Sequence, residues 1–167
     1  TINTIAFTPK GQWIIIYNGN GVHWSGNFPQ DAANAILTIN KQGKTIDCVA
    51  FTSTGEWVII GNEGYNAYLS KNFPQVVSNE INSILRRSVT QIFSIQSVVF
   101  APNGGWGIIY NGGSNFTSSN IPQPLTYTIN TELQFSQHPL VVAFTPKNGW
   151  VLEYGLVLYT PAYNPAN

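Results

Sequence analysis

The chain repeats one unit four times, and this repetition restricts its fold more than any other feature of the sequence. In each copy a tryptophan follows a phenylalanine by six residues, and successive phenylalanines lie 44, 49 and 44 residues apart. A unit of this size cannot bury its apolar faces alone, so neighbouring copies must stack on one another. The sequence therefore predicts a single domain of four repeats, 1–44, 45–93, 94–137 and a truncated 138–167. The four pairs are Phe7 and Trp13, Phe51 and Trp57, Phe100 and Trp106, and Phe144 and Trp150.

Within a repeat, the pattern predicts three short strands and a helix. A β-branched, apolar segment ends at the phenylalanine, and turn formers such as Pro9-Lys10-Gly11 separate it from a second strand that the tryptophan opens. A second turn of asparagine and glycine, as in Asn18–Gly21, leads into a more polar third strand. Apolar residues at helical spacing then predict helices near 30–40 and 75–86 and a third around Leu125. The asparagines before these helices, Asn27, Asn72 and Asn120, are predicted N-caps.

These elements predict a mainly β fold with short helices, arranged as a small β-propeller-like domain of four βββα repeats. The first two strands of each repeat are apolar on both faces, and radial stacking of blades covers both faces. After Tyr159 the sequence contains two prolines and no apolar periodicity, which predicts that the fourth helix is missing. An apolar face without this helix must be covered by the C-terminal tail or by another chain, so we expect a homo-oligomer as one outcome.

The repeat resembles the hemopexin-like repeat. Two segments carry the resemblance: Ile46–Phe51, which reads I-D-C-V-A-F, and Asn72-Phe73-Pro74 before the second helix. The F-T-P-x-G-x-W-V-I-I-Y pattern is similar, more loosely, to repeats of tachylectin-type propeller lectins. The resemblance implies four blades, each closed by a small helix, and it implies no catalytic residue. The chain departs from the hemopexin-like pattern in its repeated tryptophan, its missing last helix and its lack of a disulfide, since Cys48 is the single cysteine.

Charged residues are scarce, at 8% of the chain, and seven basic side chains balance seven acidic ones. A surface of amides and hydroxyls has no long-range field to attract phosphate or anionic lipid, so we expect no nucleic-acid partner. No apolar run approaches the roughly 20 residues that a membrane-spanning helix needs, so we expect no membrane insertion. Low charge with abundant asparagine, threonine and glycine is typical of exported proteins and favours an extracellular or cell-surface location.

The acidic residues do not suggest catalysis. No carboxylate recurs at one repeat position, and none is paired by local spacing as glycoside hydrolysis requires. The sequence contains no nucleophile elbow, phosphate loop or metal-ligating cluster. We therefore predict that the chain is not an enzyme and has no cofactor and no metal site.

The polar third strands and their turns contain the predicted ligand-binding residues. Aromatic rings cover the apolar faces of sugars, while amides both donate and accept hydrogen bonds. This chemistry predicts a lectin-like module that binds uncharged carbohydrate, free or on a glycoprotein, at quasi-repeated sites. The same residues suit a protein–protein surface, so the alternative is a structural or adhesive protein that self-assembles. The predicted binding residues are Asn18, Asn20, Trp24, Asn62, Tyr65, Tyr68, Asn111, Asn115 and Phe116.

Several of these features also have a purely structural interpretation. An aromatic residue that recurs in every repeat is more often core than ligand platform, so we expect the phenylalanine and tryptophan sets to be buried. The Asn-Gly segments are typical hairpin turns whether or not they meet a ligand. Cys48 stands at a small strand position and is predicted to be a buried, unreactive thiol.

Overall fold

A computed structural model describes residues 1–87, 93–111, 115–134, 139–145, 147, 149–154 and 157–159 of the chain. Three strands and a helix follow one another three times, and a fourth group of three strands ends the described part. The prediction of a mainly β chain with short helices is confirmed. The elements are β1 (Ile2–Phe7), β2 (Trp13–Tyr17), β3 (Gly21–Trp24), α1 (Gln30–Lys41), β4 (Ile46–Phe51), β5 (Trp57–Gly61), β6 (Asn66–Leu69), α2 (Gln75–Arg87), β7 (Ile95–Phe100), β8 (Trp106–Tyr110), β9 (Asn115–Ser119), α3 (Gln123–Gln134), β10 (Pro139–Phe144), β11 (Trp150–Tyr154) and β12 (Val157–Tyr159).

The strands form four separate three-stranded antiparallel sheets: sheet 1 (β1–β3), sheet 2 (β4–β6), sheet 3 (β7–β9) and sheet 4 (β10–β12). In every sheet the phenylalanine that ends the first strand pairs with the tryptophan that starts the second, as Phe7 does with Trp13. Each first pair of strands also has one register shift at the same place, which in sheet 1 lies between Ile2 and Thr4. Because side chains alternate along a strand, this common register puts equivalent residues on the same face of each sheet.

Three apolar cores hold successive sheets together, and each core includes one helix. In the first core, Ile14 and Ile16 of β2 meet Ile36 of α1 and Ile59 of β5, and all four side chains are fully buried. The second core joins sheet 2, α2 and sheet 3, and the third joins sheet 3, α3 and sheet 4. Sheets 2 and 3 therefore bury both faces, which is why their central strands are apolar throughout.

Backbone hydrogen bonds also join each of the first two repeats to the next. The N–H of Ile46 donates to the carbonyl of Gly19 at 2.7 Å, and the N–H of Ile95 donates to the carbonyl of Gly64 at 3.0 Å. Gly64 has a φ of +85°, and a Cβ there would lie 2.6 Å from the carbonyl oxygen of Ile95. Only glycine accommodates both this conformation and this close approach, so the turn can join the next repeat.

The outer face of sheet 1 differs from its equivalents in the other sheets. Phe7 is 65% exposed and Ile5 is 51% exposed, whereas Phe51, the equivalent of Phe7, is 9% exposed. The prediction that all the repeated phenylalanines are buried is therefore confirmed for Phe51 and wrong for Phe7, while Phe100 and Phe144 are half-buried. The reason is that α1 and its preceding loop cover this face of sheet 2, but no described helix covers it on sheet 1. Trp57, Trp106 and Trp150 are buried as predicted, while Trp13 on the open face is half-buried.

Candidate functional site

The turns that follow the first strands of all four repeats line one cavity of about 310 Å³. Residues at equivalent repeat positions form its wall, and none of them carries an ionisable side chain. The sequence analysis assigned the four phenylalanines to the core and missed this cavity. The cavity could have been predicted from the position of these phenylalanines at the end of each first strand, directly before a turn. The lining residues are Phe7, Thr8, Pro9, Phe51, Thr52, Ser53, Phe100, Ala101, Pro102, Phe144 and Thr145.

The threonine hydroxyls around this cavity already serve the turns. Thr8 Oγ1 donates to Gln12 Oε1, and the equivalent Thr52 Oγ1 donates to Glu56 Oε2. These bonds from Thr52, together with one from Thr54, lower the pKa of the Glu56 carboxyl, because they stabilise its charged form. The cavity therefore presents mainly apolar rings to a ligand, with few hydroxyls free to recognise one.

A second groove, of about 410 Å³, lies between the end of β3 and α1. The half-buried indole of Trp24 lines it and stacks on Phe28, with ring centroids 5.7 Å apart and planes 12° apart. Phe28 in turn packs edge-on against Phe51 of the next sheet at 5.8 Å. This chain of rings fixes the orientation of the Trp24 indole before any ligand arrives. The groove is lined by Trp24, Ser25, Gly26, Asn27, Phe28, Gln30, Ala33 and Leu37.

Polar groups beside Trp24 are uncharged and in part exposed. The Ser25 hydroxyl accepts the backbone N–H of Trp13 at 3.0 Å, which ties the groove to sheet 1. Gln30 is exposed and donates through Nε2 to Asn34 Oδ1 at 2.9 Å, and its own amide oxygen is a further acceptor of hydrogen bonds. The exposed Asn27 adds a second amide. The groove thus combines an aromatic ring with amide and hydroxyl groups.

Asn27 has a structural role that differs from the one predicted. It adopts a φ of 61°, in the left-handed region, and the N-cap of α1 is Pro29 with no side-chain capping bond. The prediction of Asn27 as an N-cap is therefore wrong, because the chain must turn sharply between β3 and α1. Asparagine tolerates this left-handed conformation better than other residues that have a side chain. The same argument applies to Asn120, whose φ is 55°.

The predicted asparagines of the Asn-Gly turns form the hairpins. Asn18, Asn62 and Asn111 have φ values of 51°, 57° and 58°. Their backbone N–H groups donate to the carbonyls just before each first strand, at 2.9, 3.0 and 2.7 Å. Asn20 is exposed, and its carbonyl accepts a hydrogen bond from Asn40 Nδ2 at 2.9 Å. These residues lie at the end of the hairpin opposite to Trp24, so the structure does not bring them into the groove.

The remaining predicted aromatic residues are half-buried, two in the second repeat and one in the third. Tyr68 packs against the first core, and its hydroxyl accepts a hydrogen bond from Lys44 Nζ at 3.2 Å. Phe116 packs against the third core and lies so close to Gly107 that a Cβ there would be 2.8 Å from its ring. Tyr65 donates its backbone N–H to Asn62 at 3.3 Å. Asn115 belongs to β9, but its side chain lies outside the described part of the structure.

Two titratable groups inside sheet 2 have pKa values shifted by burial. Burial raises the pKa of the Cys48 thiol to about 11, and its Sγ lies 3.8 Å from the carbonyl oxygen of Val98. The prediction that Cys48 is buried is confirmed, and its thiol is protonated at neutral pH. Burial also raises the pKa of Asp47, against the opposing effect of its bond from the N–H of Gly64. The Cys48 thiol and the Asp47 carboxyl therefore contact backbone groups inside the fold.

Among the described residues, no cluster of three or more histidine, cysteine, aspartate or glutamate side chains could hold a metal ion. The helices in this part of the chain are too short or too polar to cross a bilayer. Comparison with protein-family models, with curated proteins and with solved structures found no match to this chain. The proposals below therefore depend on the geometry of the chain itself.

Proposed function

We propose that this chain is a non-catalytic, lectin-like binding module that recognises uncharged carbohydrate, and that the groove beside Trp24 is its principal site. The observation that carries this proposal is the indole of Trp24, held by its stack on Phe28 within an uncharged groove of amides and hydroxyls. A ring of fixed orientation loses little conformational entropy when a sugar packs on it. The neighbouring amides of Asn27 and Gln30 can each donate to and accept from sugar hydroxyls.

A groove on α3 has a similar composition and is the second site that we propose. Tyr127 is 75% exposed there, and it is flanked by Gln123, Thr126 and Asn130. Both grooves pair one aromatic ring with amides and a hydroxyl, and neither has a charged lining residue. The two grooves occupy different positions in the repeat, so we propose them as two sites of similar composition and not as one site repeated.

We further propose that the four sheets form a small four-bladed propeller. Two observations support this arrangement: successive sheets pack face to face through three helix-containing cores, and equivalent turns of all four repeats line one cavity. Radial packing of blades produces both features. Together with the low charge of the chain, a glycan ligand suits an extracellular or cell-surface protein.

A glycan array followed by calorimetry tests the proposed function. We expect neutral glycans to bind the wild-type protein, and we expect Trp24→Ala to weaken that binding at least tenfold, or about 1.4 kcal/mol, as the loss of a stacking ring implies. Val76→Ala is the matched control, because Val76 is an exposed apolar residue on α2, outside both grooves. Binding that survives both Trp24→Ala and Tyr127→Ala, or no binding of any neutral glycan, would contradict the proposal.

The second candidate function is that of a structural or adhesive protein that self-assembles. The open face of sheet 1 favours it, since Ile5, Phe7 and the half-buried Trp13 form an apolar surface. Light scattering over a range of concentrations separates the two functions. A monomer that binds glycans supports the first, and concentration-dependent assembly without glycan binding supports the second.

A further inference from the structure

The cavity of about 310 Å³ that the four turns line is a concave surface separate from the two grooves proposed for glycans. None of the residues that line it belongs to the groove at Trp24 or to the groove at Tyr127. Each repeat contributes one phenylalanine to its wall, and the adjoining turns add threonine, serine, alanine and proline. The proposed glycan binding therefore leaves this cavity without a role.

Contacts from the preceding repeat hold two of these phenylalanine rings in place. Phe28 packs edge-on against Phe51 with ring centroids 5.8 Å apart, and Phe73 packs edge-on against Phe100 at 5.9 Å. Phe7, by contrast, is exposed. The cavity thus combines preformed aromatic wall with one exposed ring that a ligand can cover, and a preformed wall loses little conformational entropy on binding.

The threonine hydroxyls of the wall already have partners in their own turns. Thr8 and Thr52 each donate through Oγ1 to the side chain four residues further on. Thr145 Oγ1 accepts the backbone N–H of Gly149 at 2.9 Å. Water in the cavity therefore meets few groups that can hold it, and an apolar group displaces poorly held water favourably. Because no lining residue is ionisable, a charged ligand would lose hydration there without gaining a charged partner.

We infer that this cavity binds one small, neutral, aromatic molecule, at a site distinct from the glycan grooves. The volume fits this class of ligand, since an apolar cavity of about 150 Å³ accepts a single benzene ring. At about 310 Å³, the cavity has room for a molecule of two fused rings. Aromatic rings attract one another in edge-on and offset-stacked arrangements, so a wall of phenylalanines favours an aromatic ligand over an aliphatic one of the same size.

A fluorescence titration of the full-length chain with prodan, a neutral naphthalene derivative that is sensitive to polarity, tests this inference. We expect saturable binding of one probe per chain, with emission shifted to shorter wavelength. Phe7→Ala removes the exposed ring of the cavity, and we expect it to weaken binding about tenfold. Ile5→Ala is the matched control and should leave binding unchanged, because Ile5 is exposed on the same face of sheet 1 but does not line the cavity. Equal effects of the two substitutions, or binding that does not saturate at one probe per chain, would overturn the inference.

Substitutions at Ser53 test the cavity from the second repeat, away from the open face of sheet 1. Ser53 lines the cavity and is exposed, and the first and third repeats have Pro9 and Pro102 at this position, so the fold accepts different side chains there. Ser53→Asp places a charge in the wall, and we expect it to weaken probe binding about fivefold, because the probe would desolvate the carboxylate. Ser53→Asn, of the same shape without the charge, is the control and should bind as the wild type does.

Trp24→Ala separates this inference from the proposed glycan binding. It removes the ring of the glycan groove, and we expect prodan binding to stay unchanged, since Trp24 does not line the cavity. Circular dichroism checks that each variant keeps the native fold. Equal binding by Ser53→Asp and Ser53→Asn, or loss of probe binding in Trp24→Ala, would overturn the inference.

Discussion

Replacing Trp57 by alanine tests how the repeats are held together. Trp57 is 5% exposed, belongs to the first core, and donates through Nε1 to Asp31 Oδ2 of α1 at 2.8 Å. It therefore joins sheet 2 to the helix of the preceding repeat. Trp13 occupies the same position in sheet 1, but it is half-buried on the open face. The two tryptophans form a matched pair that differs in burial and in the covering helix.

The expected losses follow from these environments. Truncating a buried tryptophan to alanine costs about 3–5 kcal/mol of unfolding free energy, through lost apolar burial and the remaining cavity. The broken bond to Asp31 adds little, because the exposed carboxylate can bind water instead. For Trp13→Ala we expect about 1–2 kcal/mol, since only part of that side chain leaves water on folding.

Urea unfolding followed by far-ultraviolet circular dichroism measures both losses without relying on tryptophan fluorescence. Trp57→Phe keeps most of the apolar contact and removes the bond to Asp31, so it separates packing from hydrogen bonding. A loss below about 1 kcal/mol for Trp57→Ala, or equal losses at Trp57 and Trp13, would refute the reasoning. Either result would mean that the helix of one repeat does not stabilise the sheet of the next.

Four further substitutions, one of them a control, test the turns, each by denaturant unfolding. Gly64→Ala should cost more than about 1–3 kcal/mol of unfolding free energy, because the new Cβ would meet the backbone of Ile95 at a positive φ. Gly11→Ala is the control: φ there is +81° and nothing lies within 4 Å of the Cβ, so we expect a loss of about 1 kcal/mol. Equal losses at the two positions would contradict the close approach at Gly64. Burial raises the pKa of Asp47 above its usual 3.8, so the folded state binds its proton more tightly and stability falls as the pH rises above that value. Asp47→Asn, which introduces the amide that Asn3 provides in the first repeat, should remove this pH dependence and stabilise the protein at neutral pH; a loss of stability there would contradict it. The lowered pKa of Glu56 has the opposite sign, because its contribution is present above the usual value of 4.5 and disappears as the pH falls. Glu56→Gln, which copies Gln12, should flatten the acid side of the stability profile, and an unchanged profile would contradict this assignment.

The local structure could be predicted from the sequence because its determinants are close together along the chain. The six-residue step from Phe51 to Trp57 sets a hairpin of fixed register, and the helical spacing of apolar residues located α1 and α2. The repeat also predicted that Cys48 and Trp57 are buried, since apolar strands with neighbours on both sides lose both faces to water.

The features that could not be predicted depend on contacts between distant residues. Phe7 and Phe51 have the same sequence context, and only the position of α1 makes one exposed and the other buried. The shared cavity requires four turns to meet, which no single repeat encodes. The stack of Trp24 on Phe28 depends on the left-handed turn at Asn27, where the pattern had suggested a helix cap.

Nuclear magnetic resonance of the tryptophan side chains tests the proposed binding function most directly. The chain has five tryptophans, and therefore five indole N–H resonances. Trp24→Phe identifies the resonance of Trp24, and a neutral glycan selected on the array is then titrated into the wild-type protein. The account predicts that the Trp24 resonance shifts in a saturable manner, while that of the buried Trp57 stays in place. A saturable shift confined to other tryptophans, or no shift at a glycan concentration that saturates binding, would contradict it.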